Sequence, residues 1–301
     1  MSAELPAVAE ARMAALRSSG TWGSALTADE FAAIRSVGFE PVGQVFGAAV
    51  YDAGAAIGYG CPGAPASSAE GSPAGPVTQV SGRGSTGSFG PLVQAMDQAR
   101  HTAVDRMITE CAQLGGHGVV GVHVSRGPFL GGTQFSVIGT AVRAPGAEHG
   151  RSAPFTSDVS GQDFAKLIMA GWVPVGLVLG ISIGSRHDDR ATTRQARWVA
   201  ANAEVAAWTD LVSQSRHDAR RQLESDVSRL GADGVVIAAM PMRVRQRDCP
   251  ATVGRRDHIV ETSFIGTAVA GFSRAEQRAD GPPLAIMSLD PQRRQAARIR
   301  I

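Results

Sequence analysis

The sequence is poor in cysteine, in aromatic residues and, above all, in lysine. Its three cysteines, Cys61, Cys111 and Cys249, form neither an even-numbered disulfide framework nor a C-x-x-C pair of the kind that binds metal or cycles redox state. Aromatic residues make up 5% of the 301 residues, and Lys166 is the single lysine among 29 basic side chains. No apolar run reaches the length of about 18 residues that a membrane span needs, so we expect no membrane partner.

The chain also lacks a strong charge and an apolar N-terminal segment. Its net charge is +2 at pH 7, which is too small to indicate a nucleic-acid or membrane surface. Glu4 and Glu10 interrupt the N-terminus, which therefore does not resemble a secretory signal. An arginine-rich segment near residue 245 has no interleaved aromatic residues for base stacking. We therefore expect a cytoplasmic protein that does not bind nucleic acid.

What the sequence does contain is internal repetition. GFEPVGQVFG at 38–47 returns as GWVPVGLVLG at 171–180, and LGGHGVV at 114–120 returns as LGADGVV at 230–236. IGTAV, which ends the first copy, returns at 265–269. The order of the blocks is preserved and only their spacing changes, which is the pattern of a duplicated domain with inserted loops.

The repeat predicts the domain organisation. The first copy carries a Gly/Pro-rich insertion over about 53–90, and the second carries an arginine-rich loop over about 243–258; both are predicted to be irregular. We predict an N-terminal segment over 1–26, a first copy over 27–143, a linker over 144–157, a second copy over 158–272 and a C-terminal tail over 273–301.

Each copy predicts the same α+β order: short helix, strand, long helix and antiparallel β-hairpin. Thr27 and Glu30 form a capping box for the first short helix, and Gly38 is placed to end it. Gly115 and Gly231 are placed to end the two long helices. The long helix of the first copy has apolar residues spaced by three or four along one face: Met96, Ala99, Ala103, Met107, Cys111 and Leu114.

These motifs together resemble the YbjQ family, known as the "putative heavy-metal-binding" domain. The resemblance covers about 38–143 and again about 171–271, and it rests on G-x-x-PVG-x-V-x-G, LG-x-x-GVVGV and the closing IGTAV. It implies a small α+β domain that assembles into a ring, pentameric in known members. This chain departs from the pattern in its insertions, in its duplication and in Pro241, which falls within a predicted strand. If each copy keeps a five-fold ring, five chains form two rings.

Few residues indicate chemistry. The only histidines that coincide between the copies are His101 and His217, each preceded by an arginine, Arg100 and Arg216. These four residues are candidates for ligand binding; a solvated helix surface is the alternative. Cysteines and the other histidines do not coincide, so the comparison of copies predicts no metal site. Neither copy repeats a nucleophile with a base, so we predict no catalytic residues.

Two further patterns concern cofactors and partners. Gly82 to Gly87 fit G-x-G-x-x-G, but they lie in an insertion outside any βαβ unit, so we predict no cofactor. Arg243, Arg245 and Arg247 are candidates for contact with another subunit or a partner, and the tail is a candidate for docking a protein. The sequence thus predicts a non-enzymatic, ring-forming scaffold that self-associates through pentamer-based rings. The alternative is a heavy-metal or small-ligand binding module.

Overall fold

A computed structural model describes residues 4–20, 23–52, 77–129, 132–144, 146, 153–197, 204–249 and 254–272. Its helices are α1 (Ala7–Ser19), α2 (Ala28–Ser36), α3 (Gly90–Gln113), α4 (Gly161–Met169), α5 (Arg190–Arg197) and α6 (Ala206–Arg229). Its strands are β1 (Glu40–Tyr51), β2 (Val77–Ser81), β3 (Gly118–Phe129), β4 (Gly132–Arg143), β5 (Phe155–Thr156), β6 (Trp172–His187), β7 (Gly234–Ala239), β8 (Met242–Asp248) and β9 (Arg256–Gly271).

The strands form two sheets, one built mainly from each half of the chain. The first has the order β1-β4-β3-β5, and the second has the order β2-β6-β9-β7 with β8 also paired to β9. All of these neighbours are antiparallel except β3 and β5. The α+β class and the antiparallel pairing of the last strands in each half are confirmed. None of the described helices is long and apolar enough to cross a membrane.

The predicted helix boundaries are confirmed by the local geometry. Thr27 accepts a hydrogen bond from the backbone N–H of Glu30, and the Glu30 carboxylate accepts one from the backbone N–H of Thr27, so the capping box is complete. Gly38, Gly115 and Gly231 have φ of +85°, +70° and +64°, a region that glycine adopts without strain. Each therefore allows the chain to leave its helix at the predicted place.

The two long helices match closely. Both α3 and α6 have 24 residues, and the predicted apolar face of α3 is buried from Met96 to Cys111. On α6, Ala219 and Leu223 are fully buried, whereas Leu230 is 40% exposed. The helical period predicted from the sequence therefore identifies the buried face of α3.

Each long helix packs on a glycine of the first long strand in its half. A Cβ atom added to Gly47 in β1 would lie 1.9 Å from the carbonyl oxygen of Ala103 in α3. A Cβ added to Gly180 in β6 would lie 2.0 Å from the carbonyl oxygen of Ala219 in α6. The glycines that recur in the PVG-x-V-x-G motif thus allow a helix backbone to approach a strand more closely than any side chain permits.

The prediction of a loop over residues 53–90 is wrong for its final part. Val77–Ser81 is strand β2, which pairs with β6 from the second half; Val77 lies opposite His187. The insertion thus supplies an edge strand to the other sheet, a long-range pairing that no local pattern in the sequence specifies. Residues 53–76, including Cys61, lie outside the described residues, as does the tail over 273–301.

The prediction of an arginine-rich loop over 243–258 is also wrong in its first part. Residues 242–248 are strand β8, and β9 begins at Arg256. The sequence MRVRQRD has the alternation of a strand, and Pro241 lies in the break between β7 and β8, because proline cannot donate a ladder hydrogen bond. Similarly, Phe155–Thr156 at the end of the predicted linker is strand β5, parallel to β3.

Helix α3 lies between the two sheets. The same apolar cluster contains Met96 and Met107 of α3, Val137 of β4, and Ile181 and Ile183 of β6. The two halves of the chain therefore share this apolar cluster.

Candidate functional site

A groove of about 660 Å³ lies between the two halves. Its apolar walls come from β1, the start of α3, β6 and β9, and include Tyr51, Phe89, Leu92, Met96, Ile183 and Ile259. Its charged side chains are Arg126, Arg243, Arg245, Arg247 and Glu261. The groove therefore combines an apolar lining with four arginines and one carboxylate.

The three arginines predicted as contact residues line this groove because they alternate along β8. Arg243 lies opposite Glu261 of β9, and Arg247 lies opposite Asp257. Glu261 forms its ion pair across the groove with Arg126 of β3, at 2.5 Å between Nη1 and Oε1. The groove thus includes an ion pair between the two halves of the chain. The arginines of β8 line the groove beside this ion pair.

Arg100 is buried close to this contact. Its Nη2 donates a hydrogen bond to Ser263 Oγ at 3.1 Å, and its guanidinium lies 5.0 Å from the ring centroid of Phe135. Burial lowers the pKa of Arg100 to about 10, although the negative charges of Asp97 and Glu261 oppose the shift. Within the described chain, two of its nitrogens, Nε and Nη1, have no hydrogen-bond partner.

The structure gives the residues of the two predicted Arg-His pairs different environments. Arg100 is buried, whereas Arg216 is exposed at the corresponding position of α6. His101 Nε2 lies 3.6 Å from Asp97 Oδ2, and His217 is exposed. The shared position on the helix therefore does not produce a shared site, and ligand binding by these residues stays a prediction.

A buried polar cluster lies at the far end of the second sheet. His187 ends β6, Asp257 follows the first residue of β9, and Cys249 follows the last residue of β8. His187 Nδ1 lies 2.9 Å from Asp257 Oδ1, and Arg247 Nε lies 3.3 Å from Asp257 Oδ2. One ligand atom from each of His187, Cys249 and Asp257 lies within 4.8 Å of the other two, and all three residues are buried. These are the residues whose donor atoms could hold a metal ion.

A second set of polar contacts surrounds His258, the residue after Asp257. His258 Nδ1 lies 3.1 Å from Asp188 Oδ2, and Gln246 Nε2 lies 2.9 Å from His258 Nε2. Trp208 of α6 donates from Nε1 to Asp188 Oδ1 at 3.2 Å, and its ring centroid lies 4.5 Å from that of His258. Because neighbours along a strand point to opposite faces, this set and the buried cluster occupy opposite faces of the same sheet end.

The repeated blocks could not indicate the buried cluster, because its three residues do not recur in the sequence. When the nearest repeated blocks are aligned, His187 and Asp257 correspond to Gly54 and Leu130. The signal that the sequence does carry is the strand alternation of MRVRQRD followed by Cys249. This alternation places the side chains of Arg247 and Cys249 on the same face of the sheet as that of Asp257.

The glycine-rich segment after β2 connects the two halves. Arg83 donates from Nη1 and Nη2 to the two carboxylate oxygens of Asp226 in α6, at 2.8 and 3.0 Å. Its Nη2 also donates to the carbonyl oxygen of Leu179 at 2.8 Å, and its Nε lies 3.3 Å from Asp97 Oδ2. A Cβ added to Gly82 would lie 2.1 Å from Asp218 Oδ2. The glycine next to Arg83 therefore serves close packing against α6.

Comparison with known proteins identifies the family. A family model for YbjQ, described as "Putative heavy-metal-binding", matches residues 78–145. A protein of Mycobacterium tuberculosis named encapsulin nanocompartment protein Rv1762c is 32% identical over 242 residues, which are 78% of this chain and 82% of that protein. The chain belongs to the YbjQ family. The match to the YbjQ model covers β2, α3, β3 and β4, and no solved structure matches the chain.

Proposed function

We propose that this YbjQ-family chain is a non-enzymatic structural protein that assembles into a symmetric homo-oligomer and serves as a scaffold. The name of its mycobacterial relative supports this role, since a nanocompartment is an assembly. On this basis the chain acts in an encapsulin-type compartment system. The cytoplasmic location expected from the sequence stays a prediction.

The observation that carries the proposal is the edge formed by β8. This seven-residue strand pairs with β9 on one side, and the described residues place no strand on its other side. Met242 and Val244 on this strand are 46% and 57% exposed, and Met240 just before it is 53% exposed. An open strand edge with apolar side chains favours pairing with another chain.

A second copy of this chain is the occupant that we propose for the edge. An isologous or head-to-tail contact between copies would cover the apolar residues and give the unpaired backbone groups hydrogen-bond partners. The recurring Gly47 and Gly180 contacts support two equivalent YbjQ-like copies in each chain. If each copy keeps the five-fold symmetry implied by the family resemblance, five chains build two rings. The C-terminal tail then remains for contact with a protein partner.

The alternative from the sequence, a heavy-metal or small-ligand binding module, has one specific observation in its favour. That observation is the convergence of His187, Cys249 and Asp257. A metal bound at that position is compatible with a scaffold. The cluster is buried at one end of the second sheet, whereas the β8 residues that we place in the interface, Met242 and Val244, are exposed.

Charged side chains introduced on β8 test the proposed interface. The double variant Met242→Lys/Val244→Lys is expected to reduce the assembly to smaller species, because two ammonium groups replace apolar contacts between copies. Sedimentation velocity measures the size of the assembly. The matched control, Met169→Lys/Val8→Lys, changes one exposed methionine and one exposed valine on α4 and α1 and should leave the size unchanged. A β8 variant of wild-type size would contradict the proposed interface.

A further inference from the structure

We infer that His187, Cys249 and Asp257 form a binding site for one divalent cation of the zinc class. This inference does not rest on the proposed assembly, and the three residues lie outside the segment 78–145 that the YbjQ model matches. The site belongs to the second half of the chain alone.

Strand pairing brings the three side chains together. His187 lies opposite Asp257 in the β6–β9 register, and Arg247 lies opposite Asp257 in the β8–β9 register. The side chains of His187, Asp257 and Arg247 therefore project from the same face of the sheet. Cys249 is two residues beyond Arg247, and the ladder continues to it because its backbone N–H donates to the carbonyl oxygen of Arg255 at 2.9 Å. The alternation of side chains therefore directs Cys249 to the same face.

The donor set indicates the class of ion. One imidazole nitrogen, one sulfur and one carboxylate oxygen match the ligands that Zn²⁺ accepts, whereas Mg²⁺ and Ca²⁺ select oxygen ligands. Zinc bonds of about 2.0–2.3 Å place tetrahedral ligand atoms roughly 3.5 Å apart. The three donor atoms already lie within 4.8 Å of one another. Small side-chain movements of about 1 Å would complete the geometry, and three protein ligands would leave a fourth position for another ligand.

Burial isolates the three donor side chains from water. The side chains of His187 and Asp257 are 1% and 0% exposed, and Cys249 is 7% exposed. The Asp257 carboxylate is paired with Arg247, whose Nε lies 3.3 Å from Oδ2. Because metal ligands give up their protons, a divalent cation would release the proton of the Cys249 thiol. It would also take the place of the proton between His187 Nδ1 and Asp257 Oδ1, which lie 2.9 Å apart.

Cobalt and zinc titration of the full-length chain tests this site. The starting protein carries Cys61→Ser, which removes a cysteine outside the described residues, and is first stripped with a chelator. We expect about one Co²⁺ per chain, a thiolate-to-cobalt charge-transfer band, and loss of that band when Zn²⁺ is added. Cys249→Ser and His187→Gln should each weaken binding by about tenfold or more.

Matched controls separate the site from general effects. Cys111→Ala removes the other described cysteine, which is buried in the apolar core, and His123→Gln removes an exposed histidine on β3. Both variants should retain the cobalt band. Circular dichroism shows which variants are folded, and sedimentation velocity shows whether the assembly persists independently of the metal. A folded Cys61→Ser chain that binds Co²⁺ without thiolate charge transfer, or that binds no ion above background, would overturn the inference even if the ligand variants fail to fold.

Discussion

Gly180→Ala is expected to lower the free energy of unfolding by about 3 kcal/mol or more, or to prevent folding. The new Cβ would lie 2.0 Å from the carbonyl oxygen of Ala219 and 3.0 Å from its carbonyl carbon, and backbone atoms of a buried helix cannot move aside as a flexible side chain can. Helix α6 would have to separate from β6, and the contacts of Ala219 and Leu223 with the sheet would be lost. Urea unfolding monitored by circular dichroism measures the effect.

The control for this substitution is Gly127→Ala in β3, where an added Cβ meets no atom within 4 Å. We expect Gly127→Ala to be neutral or slightly stabilising, since alanine has less backbone freedom in the unfolded chain. Gly47→Ala should resemble Gly180→Ala, because its Cβ would lie 1.9 Å from the carbonyl oxygen of Ala103. Equal urea midpoints of unfolding for Gly180→Ala and Gly127→Ala would contradict the close contact between Gly180 of β6 and the backbone of α6.

Arg83→Met is expected to destabilise the protein by about 1.5–3 kcal/mol, because the Asp226 carboxylate loses its bidentate partner and keeps only Arg229, at 3.1 Å from Oδ1. The Asp226 side chain is 6% exposed, and the hydrogen bonds from Arg83 raise the pKa of that guanidinium. Arg83 also contacts Leu179 and Asp97, so its removal loosens the connection between the insertion and both halves. Urea unfolding again gives the free energy.

The matched control is Arg220→Met, which removes a surface ion pair with Glu224 whose side chains are 49% and 53% exposed. Exposed pairs contribute between about 0 and 1 kcal/mol, so this variant should remain close to wild type. A loss for Arg83→Met as small as that for Arg220→Met would contradict the role of Arg83 in joining the halves.

The sequence alone predicted the elements that depend on local patterns. The capping box at Thr27, the helix-ending glycines Gly115 and Gly231, and the periodic apolar face of α3 are all present. Each depends on residues within one or two turns of helix, where side-chain type directly determines backbone conformation. The YbjQ resemblance likewise came from short motifs, and the family was confirmed by the comparisons.

The elements that the sequence did not predict depend on long-range pairing. β2 belongs to the first half but pairs in the second sheet, and its position depends on the edge that β6 offers. His187 and Asp257 are 70 residues apart in the sequence, and Cys249 joins them because β6 and β8 pair with the same end of β9. The sequence blocks that recur in the two halves indicate only what both halves share, and these three residues do not recur.

Native mass spectrometry measures directly whether copies of this 301-residue chain assemble. We expect a homo-oligomer whose mass is a multiple of five chains of 31.2 kDa. The same spectrum, recorded for the double variant of Met242 and Val244, should shift to smaller species. A wild-type spectrum that contains only the 31.2 kDa monomer would contradict the proposed assembly.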